Sequence, residues 1–367
     1  MTSSCLQAVG LRRTYPDASG RRHTALHDVD LRLEPTESVA LLGRSGCGKT
    51  TLLKALLLLD APGPADSGAV LLDGDPVITG RRRPGARALR PYRRAVQYVP
   101  QDPAASLDPR YDVVSQITRA LHTLRAPGGP DGHEAVAQSL LEALGLPRQS
   151  WRRRPHEISG GQAQRLALAR ALAPGPRYLL LDEPVSALDV CIQAQILNLL
   201  NDLQREFHYT YVFISHNLSV VKHVSDRIAV MYLGQVVELC DYKELFTTAL
   251  HPYTQALLSA IPVAKLDVQK ERIILEGDVP SPIEPPDACR FMGRCRYCQD
   301  ICRRETPPLR EHLSGHYVAC HFAGNLKGGV PMPQLTISPD QLTPAPDPDT
   351  FLVEKEILPS PELPPRE

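Results

Sequence analysis

The sequence carries no net charge: its 367 residues include 41 lysines plus arginines and 41 aspartates plus glutamates. No overall field therefore selects nucleic acid or an anionic membrane as partner. Long apolar runs are missing too. Stretches such as Ala55–Leu59 fall far short of the roughly 20 residues that cross a bilayer. The first residues, Met1-Thr2-Ser3-Ser4-Cys5-Leu6, lack the basic segment followed by an apolar one that directs secretion. The expectation is a chain in the cytosol, or peripheral on the cytosolic face of the membrane. No internal repeat stands out. In a reducing compartment the nine cysteines are not read as structural disulfides. Five of the nine, however, fall between Cys289 and Cys320, a clustering that needs its own explanation.

What is present is a phosphate-binding loop. Gly43-Arg44-Ser45-Gly46-Cys47-Gly48-Lys49-Thr50 reads as G-x-x-x-x-G-K-[ST]. Glycines let backbone N–H groups ring the phosphates. Lys49 can reach the β- and γ-phosphate oxygens, and the Thr50 hydroxyl can ligate Mg²⁺. The flanks agree: Ser38–Leu42 is a buried-strand run, and Thr51–Leu56 has helix-forming composition, so a helix N-terminus faces the anion.

The length allows two domains, each with its own core. Residues 6–100 alternate short apolar runs with turns, with strands expected at 31–33, 38–42, 70–72 and 96–99 and a dense basic stretch from Arg81 to Arg94, read as a solvated face. Residues 112–172 are mostly helical by pattern, notably Val136–Leu144 and Ala163–Leu172. Strands are expected at 178–181 and 210–215, a helix at 192–207, a hairpin around Gly234, and helices at 242–249 and 251–261. Composition changes after Pro262. Residues 263–325 hold the cysteine cluster, and 326–367, rich in proline and acidic residues, read as a disordered tail.

Two further motifs sharpen the reading. Tyr178-Leu179-Leu180-Leu181-Asp182-Glu183 is an apolar strand ending in two carboxylates, expected beside the phosphate-loop strand. That places Asp182 near the Mg²⁺ shell and Glu183 toward the γ-phosphate, where a carboxylate can orient the attacking water. Ser159-Gly160-Gly161-Gln162 opens the helix at 163–172, and small residues at a helix start make a second anion site. Alone, that tetrapeptide is an ordinary helix cap with Ser159 as N-cap.

Together these segments resemble the ATP-binding subunits of ABC transporters over roughly residues 6–262. Ile158–Gln162 matches the signature, Pro100-Gln101-Asp102 the Q-loop, Ser186-Ala187-Leu188-Asp189 the D-loop and Ser215-His216 the switch histidine. Tyr15 is placed for the aromatic that stacks on adenine. The resemblance implies an α/β P-loop NTPase of ABC type, with a nucleotide-binding domain over 1–262 and a helical subdomain over about 102–172. It also implies two such domains paired head to tail. Residues 43–51 of one, with Tyr15, Gln101 and Asp182, bind ATP, and Ser159, Gly160, Gly161 and Gln162 of the other act in trans. Lys49, with Mg²⁺ held by Thr50 and Gln101, neutralises the phosphates; Glu183 acts on water; His216 contacts the γ-phosphate. Asn217, where an aspartate often follows the switch histidine, and Arg154, where an aromatic is expected, depart mildly from the pattern.

Other segments narrow the branch. Glu183–Val190, Ile192–Leu197, Val230–Gly234 and His251-Pro252-Tyr253-Thr254-Gln255-Ala256 are similar to the dipeptide/oligopeptide importer ATPases, particularly their F-type subunit, a branch that includes nickel importers. The resemblance implies a homologous D-type ATPase subunit, two membrane permeases and a substrate-binding protein as partners, and no nucleic acid. Cys289, Cys295, Cys302 and Cys320 match the cysteines that hold an iron–sulfur cluster in some members. Four thiolates from one short segment suit [4Fe–4S] or Zn²⁺, Cys298 is a fifth thiol, and His312, His316 and His321 are alternative ligands. Spacing alone does not decide between a metal site and reduced, metal-free cysteines. Nor does the sequence name the cargo: peptide leads, with nickel or another small solute as the alternative. A soluble ABC protein acting on nucleic acid is disfavoured by the single phosphate loop and the lack of a long coiled-coil insertion.

Overall fold

A computed structural model describes residues 4–16, 21–63, 65–80, 84–186, 188, 190–260, 273–277 and 287–324. The expected disordered tail and Asp189 of the D-loop lie outside the described residues. The strands are β1 (Leu6–Pro16), β2 (Arg22–Leu33), β3 (Ser38–Leu42), β4 (Ser67–Leu72), β5 (Asp75–Thr79), β6 (Val96–Val99), β7 (Tyr178–Asp182), β8 (Thr210–Ile214), β9 (Arg227–Tyr232), β10 (Gln235–Asp241), β11 (Arg310–Leu313) and β12 (His316–Val318). The helices are α1 (Lys49–Leu56), α2 (Arg90–Ala95), α3 (Val113–Leu124), α4 (Gly129–Ala143), α5 (Gly160–Leu172), α6 (Val190–Phe207), α7 (Leu218–Val224), α8 (Tyr242–Thr247) and α9 (Pro252–Ser259).

Two sheets organise the chain. The smaller is antiparallel, in the order β2-β1-β4-β5. The larger runs β11-β12-β10-β9-β3-β8-β7-β6. Its centre is parallel: β3 pairs with β8 and β9, and β7 pairs with β6 and β8. Every residue of β3, β7 and β8 is buried, as expected for parallel strands covered on both faces. Strand alternation sends neighbouring side chains into different cores. Leu179, Leu181, Tyr211 and Phe213 pack with α3–α6, whereas Leu180, Val212, Ile214 and Val39 pack with α1 and the antiparallel sheet.

The strand order departs from expectation at the centre of the sheet. The strand ending in Asp182 is not beside the phosphate-loop strand, because β8 lies between β3 and β7. β8 is as apolar as either neighbour and pairs with both, so it takes the central place.

The helices of the 112–172 region form as patterned. Asp112 caps α3 by accepting from the Ser115 amide, 2.8 Å away. Ser159 caps α5 reciprocally: its hydroxyl accepts from the Gln162 amide and the Gln162 side chain accepts from the Ser159 amide. A cap of this kind contributes about 1 kcal/mol.

The cysteine-rich segment adds to the sheet. β12 pairs antiparallel with β10 through Glu238–Val318 and Leu239–Tyr317, and β11 pairs with β12. A buried polar pin reinforces the join. The Glu238 carboxylate, fully buried, accepts from the Leu250 amide (2.6 Å) and the His251 amide (3.2 Å) and lies 2.8 Å from His316 Nε2.

Candidate functional site

The site forms where four parallel strands end on one edge, where open α/β sheets place ligands. β3 runs into the phosphate loop, β6 into Gln101, β7 into Asp182 and Glu183, and β8 into Ser215 and His216. Adjacent strand ends thus gather side chains that are more than a hundred residues apart in the chain.

The loop is tightly seated. A Cβ on Gly43 would lie 2.4 Å from the Met231 carbonyl oxygen and 2.7 Å from Cys47 Sγ. Gly48, the residue before α1, has φ +106° and its Cβ would lie 2.6 Å from the Ala25 carbonyl oxygen. Only glycine fits both the space and the left-handed backbone. Lys49, largely buried, donates from Nζ to the carbonyls of Gly43 (2.7 Å) and Arg44 (3.2 Å). Its ammonium therefore lies within the loop's own ring. Ser45 and Gly46 at the tip are exposed, as are Arg44 and Thr50, and Thr51 is half-buried. The Cys47 thiol is buried, and that burial pushes its pKa up, so it is a packing residue rather than a reactive thiol.

The two carboxylates separate in role. Asp182 is buried and accepts from Tyr98 Oη at 3.2 Å, and it also interacts with the Thr50 hydroxyl. Burial raises its pKa, and the two hydroxyls and Lys49 pull it back. Glu183 sits at φ +47°, a left-handed conformation that costs a non-glycine residue energy and is common at functional sites. It accepts from Gln101 Nε2 at 3.1 Å and stands 3.4 Å from His216 Nδ1. Glu183 is 18% exposed and His216 67% exposed, so the pair lies at the mouth of the site. A carboxylate fixed by an amide and an imidazole at a phosphate loop can orient water for attack on phosphorus.

Other expected residues are not brought to this cluster. Ser159 and Gly160 are exposed, and Gly161 and Gln162 half-buried, at the head of α5. Tyr15, at the end of β1, donates its hydroxyl to Asp60 at 3.1 Å, and burial with that carboxylate lifts its pKa to about 12. Two contributors were not anticipated from sequence. Tyr98 anchors Asp182 but reads in β6 as one more aromatic strand former. Tyr253 Oη accepts from the Arg44 amide of the phosphate loop at 3.1 Å, across 209 residues.

The cysteine segment forms a second locus. Cys289, Cys295, Cys302 and Cys320, with His251, line one cavity, and Cys298 is not among its lining residues. Burial and the neighbouring thiols push Cys289, Cys295 and Cys320 up to about 11. Only a cationic centre would reverse that penalty. Among the described residues no three Cys, His, Asp or Glu side chains are grouped to hold a single metal ion. Of the alternative ligands, His316 is committed to Glu238 and His321 Nε2 lies 3.1 Å from the Glu305 carbonyl oxygen.

Comparison with known proteins gives a consistent answer. The ABC transporter family profile matches residues 26–186, and that of the oligopeptide/dipeptide transporter C-terminal region matches 237–302. The chain is 45% identical over 304 residues to the di/tripeptide transport ATP-binding protein DppF of Pseudomonas aeruginosa, covering 83% of this chain and 91% of the relative. It is 43% identical over 300 residues to the oligopeptide transport ATP-binding protein AppF of Bacillus subtilis, covering 81% and 89%. Among solved structures, the dimeric post-hydrolysis state of the ATP-binding cassette MJ0796 bound to ADP and Pi superposes with a TM-score of 0.58 at 27% identity, covering 65% of this chain and 98% of that one. Phosphate loop, strand-end carboxylates, helices α3–α5 and C-terminal region together place the chain: it belongs to the ATP-binding subunits of ABC transporters, in the dipeptide/oligopeptide branch.

Proposed function

We propose that this chain hydrolyses ATP to drive import of di- or oligopeptides through partner permeases at the cytoplasmic face of the membrane. The observation that carries it is the meeting of Lys49, Thr50, Asp182, Gln101, Glu183 and His216 at one sheet edge, in a chain that also carries the branch's C-terminal region. Lys49 binds the β- and γ-phosphates, and Thr50 and Gln101 would hold Mg²⁺ beside Asp182. Bound there, the ion would neutralise phosphate charge. Glu183 accepts the proton of the attacking water, and His216 contacts the γ-phosphate. Ser159-Gly160-Gly161-Gln162, at the head of α5, serves a second ATPase subunit, a homologous D-type chain, and Asp189 is the D-loop aspartate. Tyr15 is the adenine contact. The working units are a nucleotide-binding domain over 1–262, containing the helical subdomain, a cysteine-rich region over 263–325 and a tail over 326–367.

The test is the ATPase rate of the complex purified through this subunit. Binding protein loaded with mixed short peptides is expected to stimulate hydrolysis over empty binding protein. Stimulation by a nickel-loaded preparation alone would move the chain to the metal-importing part of the branch. Absence of membrane partners in the purified complex would sink the transport reading.

For the cysteine region the proposal is a [4Fe–4S] cluster on Cys289, Cys295, Cys302 and Cys320, with Zn²⁺ the alternative. Support comes from the shared cavity and the outlying fifth thiol. Four thiolates from one segment suit either centre, although no three such side chains are grouped for a metal ion among the described residues. Anaerobically purified protein is expected to contain about four irons and four sulfides per chain, and Cys302→Ser to lose most of both. Zinc in their place would select the alternative, and metal-free wild-type protein would remove the proposal.

A further inference from the structure

Beneath the phosphate loop lies a group of aromatic rings that the nucleotide chemistry does not use. Tyr232 ends β9, Tyr253 lies in the first turn of α9, and Phe291 stands between Cys289 and Cys295. Their centroids are 4.6 Å (Tyr232–Tyr253), 5.2 Å (Tyr232–Phe291) and 5.7 Å (Tyr253–Phe291) apart, with the second pair edge to face. All three are buried. Such pairs hold one another in defined orientations beyond simple burial. The Tyr253 hydroxyl so held takes the Arg44 amide at 3.1 Å. Arg290, the residue before Phe291, donates to the Leu233 carbonyl, and the next residue, Gly234, donates its amide to the Cys47 carbonyl at 2.8 Å. Two consecutive residues of the cysteine-rich segment are thus linked to the phosphate loop through intermediaries, Phe291 through Tyr253 to Arg44 and Arg290 through the Leu233–Gly234 turn to Cys47.

We propose, on the nucleotide-site reading above, that Tyr253 is a positioning residue for ATP, fixing the phosphate loop through the Arg44 amide, and that Phe291 extends this support from the cysteine-rich segment. The physical reason is preorganisation. A phosphate loop binds through backbone amides that must point inward together, and every bend fixed before binding lowers the ordering cost of binding. The Arg44 amide has a buried partner, so the loop's first bend is set by a side chain 209 residues away. The support acts on nucleotide affinity. Tyr253 touches no reacting atom, so the chemical step is affected less.

The test compares the wild-type complex with Tyr253→Phe, Phe291→Leu, the double variant and Lys49→Ala, measuring KM and kcat for ATP and the Kd of a non-hydrolysable ATP analogue. Tyr253→Phe keeps the ring and removes one acceptor; KM and Kd are expected to rise about two- to tenfold, the range for one hydrogen bond, with a smaller change in kcat. Phe291→Leu is expected to move the same parameters. The double variant should exceed the larger single effect by little, since both act through one amide. Unchanged KM and Kd in Tyr253→Phe, or a fall in kcat alone, overturns the proposal, and if Lys49→Ala abolishes binding the nucleotide site itself stands. A wild-type complex that binds no ATP overturns both. Hydrogen exchange in the wild-type protein needs no variant: a protected Arg44 amide supports the proposal, and one exchanging as fast as the exposed loop tip overturns it.

Discussion

Glu183→Gln is expected to lower kcat for ATP hydrolysis by about 10²- to 10⁴-fold, the usual contribution of a positioned acid–base group, while ATP is still bound. The amide keeps the size of the side chain and can still accept from Gln101, 3.1 Å away. What it loses is the charge proposed to take a proton from water. His216, 3.4 Å from Glu183, faces a neutral partner instead of an anion, which adds to the loss. The measurement is single-turnover hydrolysis beside equilibrium binding of ATP. Loss of binding together with hydrolysis would assign Glu183 to holding the nucleotide, and near-normal turnover would remove it from the chemistry. The left-handed backbone at this residue, φ +47°, means that a β-branched replacement would test strain instead of chemistry.

The second large effect is on stability. Glu238→Ala is expected to cost about 3–5 kcal/mol, the range for removing one partner of a buried charged network. Three donors converge on Glu238: the Leu250 amide, the His251 amide and the His316 ring, the latter fully buried like the carboxylate itself. Without the carboxylate none can turn to water. Glu244 does not rescue His316, because its nearest oxygen is 3.6 Å from Nδ1, beyond hydrogen-bonding distance. A fall in melting temperature of at least roughly 6 °C corresponds to the lower bound for a domain of this size. Glu238→Gln, which keeps one acceptor oxygen but adds a donor facing donors, should fall between wild type and alanine. A melting temperature within 2 °C or so of wild type for the alanine variant would show that the pin contributes little.

Much of the site was legible because its chemistry is written in short contiguous runs. The loop from Gly43 to Thr50 and the strand ending in Asp182 and Glu183 each declare a local geometry, and local geometry follows from local sequence. The helices of the 112–172 region were legible for the same reason, through period and caps. What stayed hidden depends on strand order. Apolar runs look alike, so nothing in Tyr178–Leu181 or Tyr211–Ile214 says which lies next to Ser38–Leu42; packing decides, and β8 takes the place expected for β7. The same blindness covers Tyr98 on Asp182 and Tyr253 on Arg44, where a side chain common in cores proves to have a hydroxyl aimed at the site. The hairpin of β11 and β12 escaped notice because its strands are only four and three residues long and one is exposed throughout, leaving no alternation to read.

That hairpin bears on how the protein is made. The main sheet is extended by a strand from near the end of the described chain: His316 meets Glu238, 78 positions earlier in the sequence. As the chain leaves the ribosome, β10 therefore emerges with its outer edge bare, and its backbone donors and acceptors stay open to any passing strand until residues 316–318 arrive. A chain cut short before β12 would retain its phosphate loop and its carboxylates, yet keep that edge open permanently. The cysteine-rich segment thus also covers the β10 edge, and its synthesis sets the moment at which that largely apolar edge is exchanged for the short, charged edge of β11.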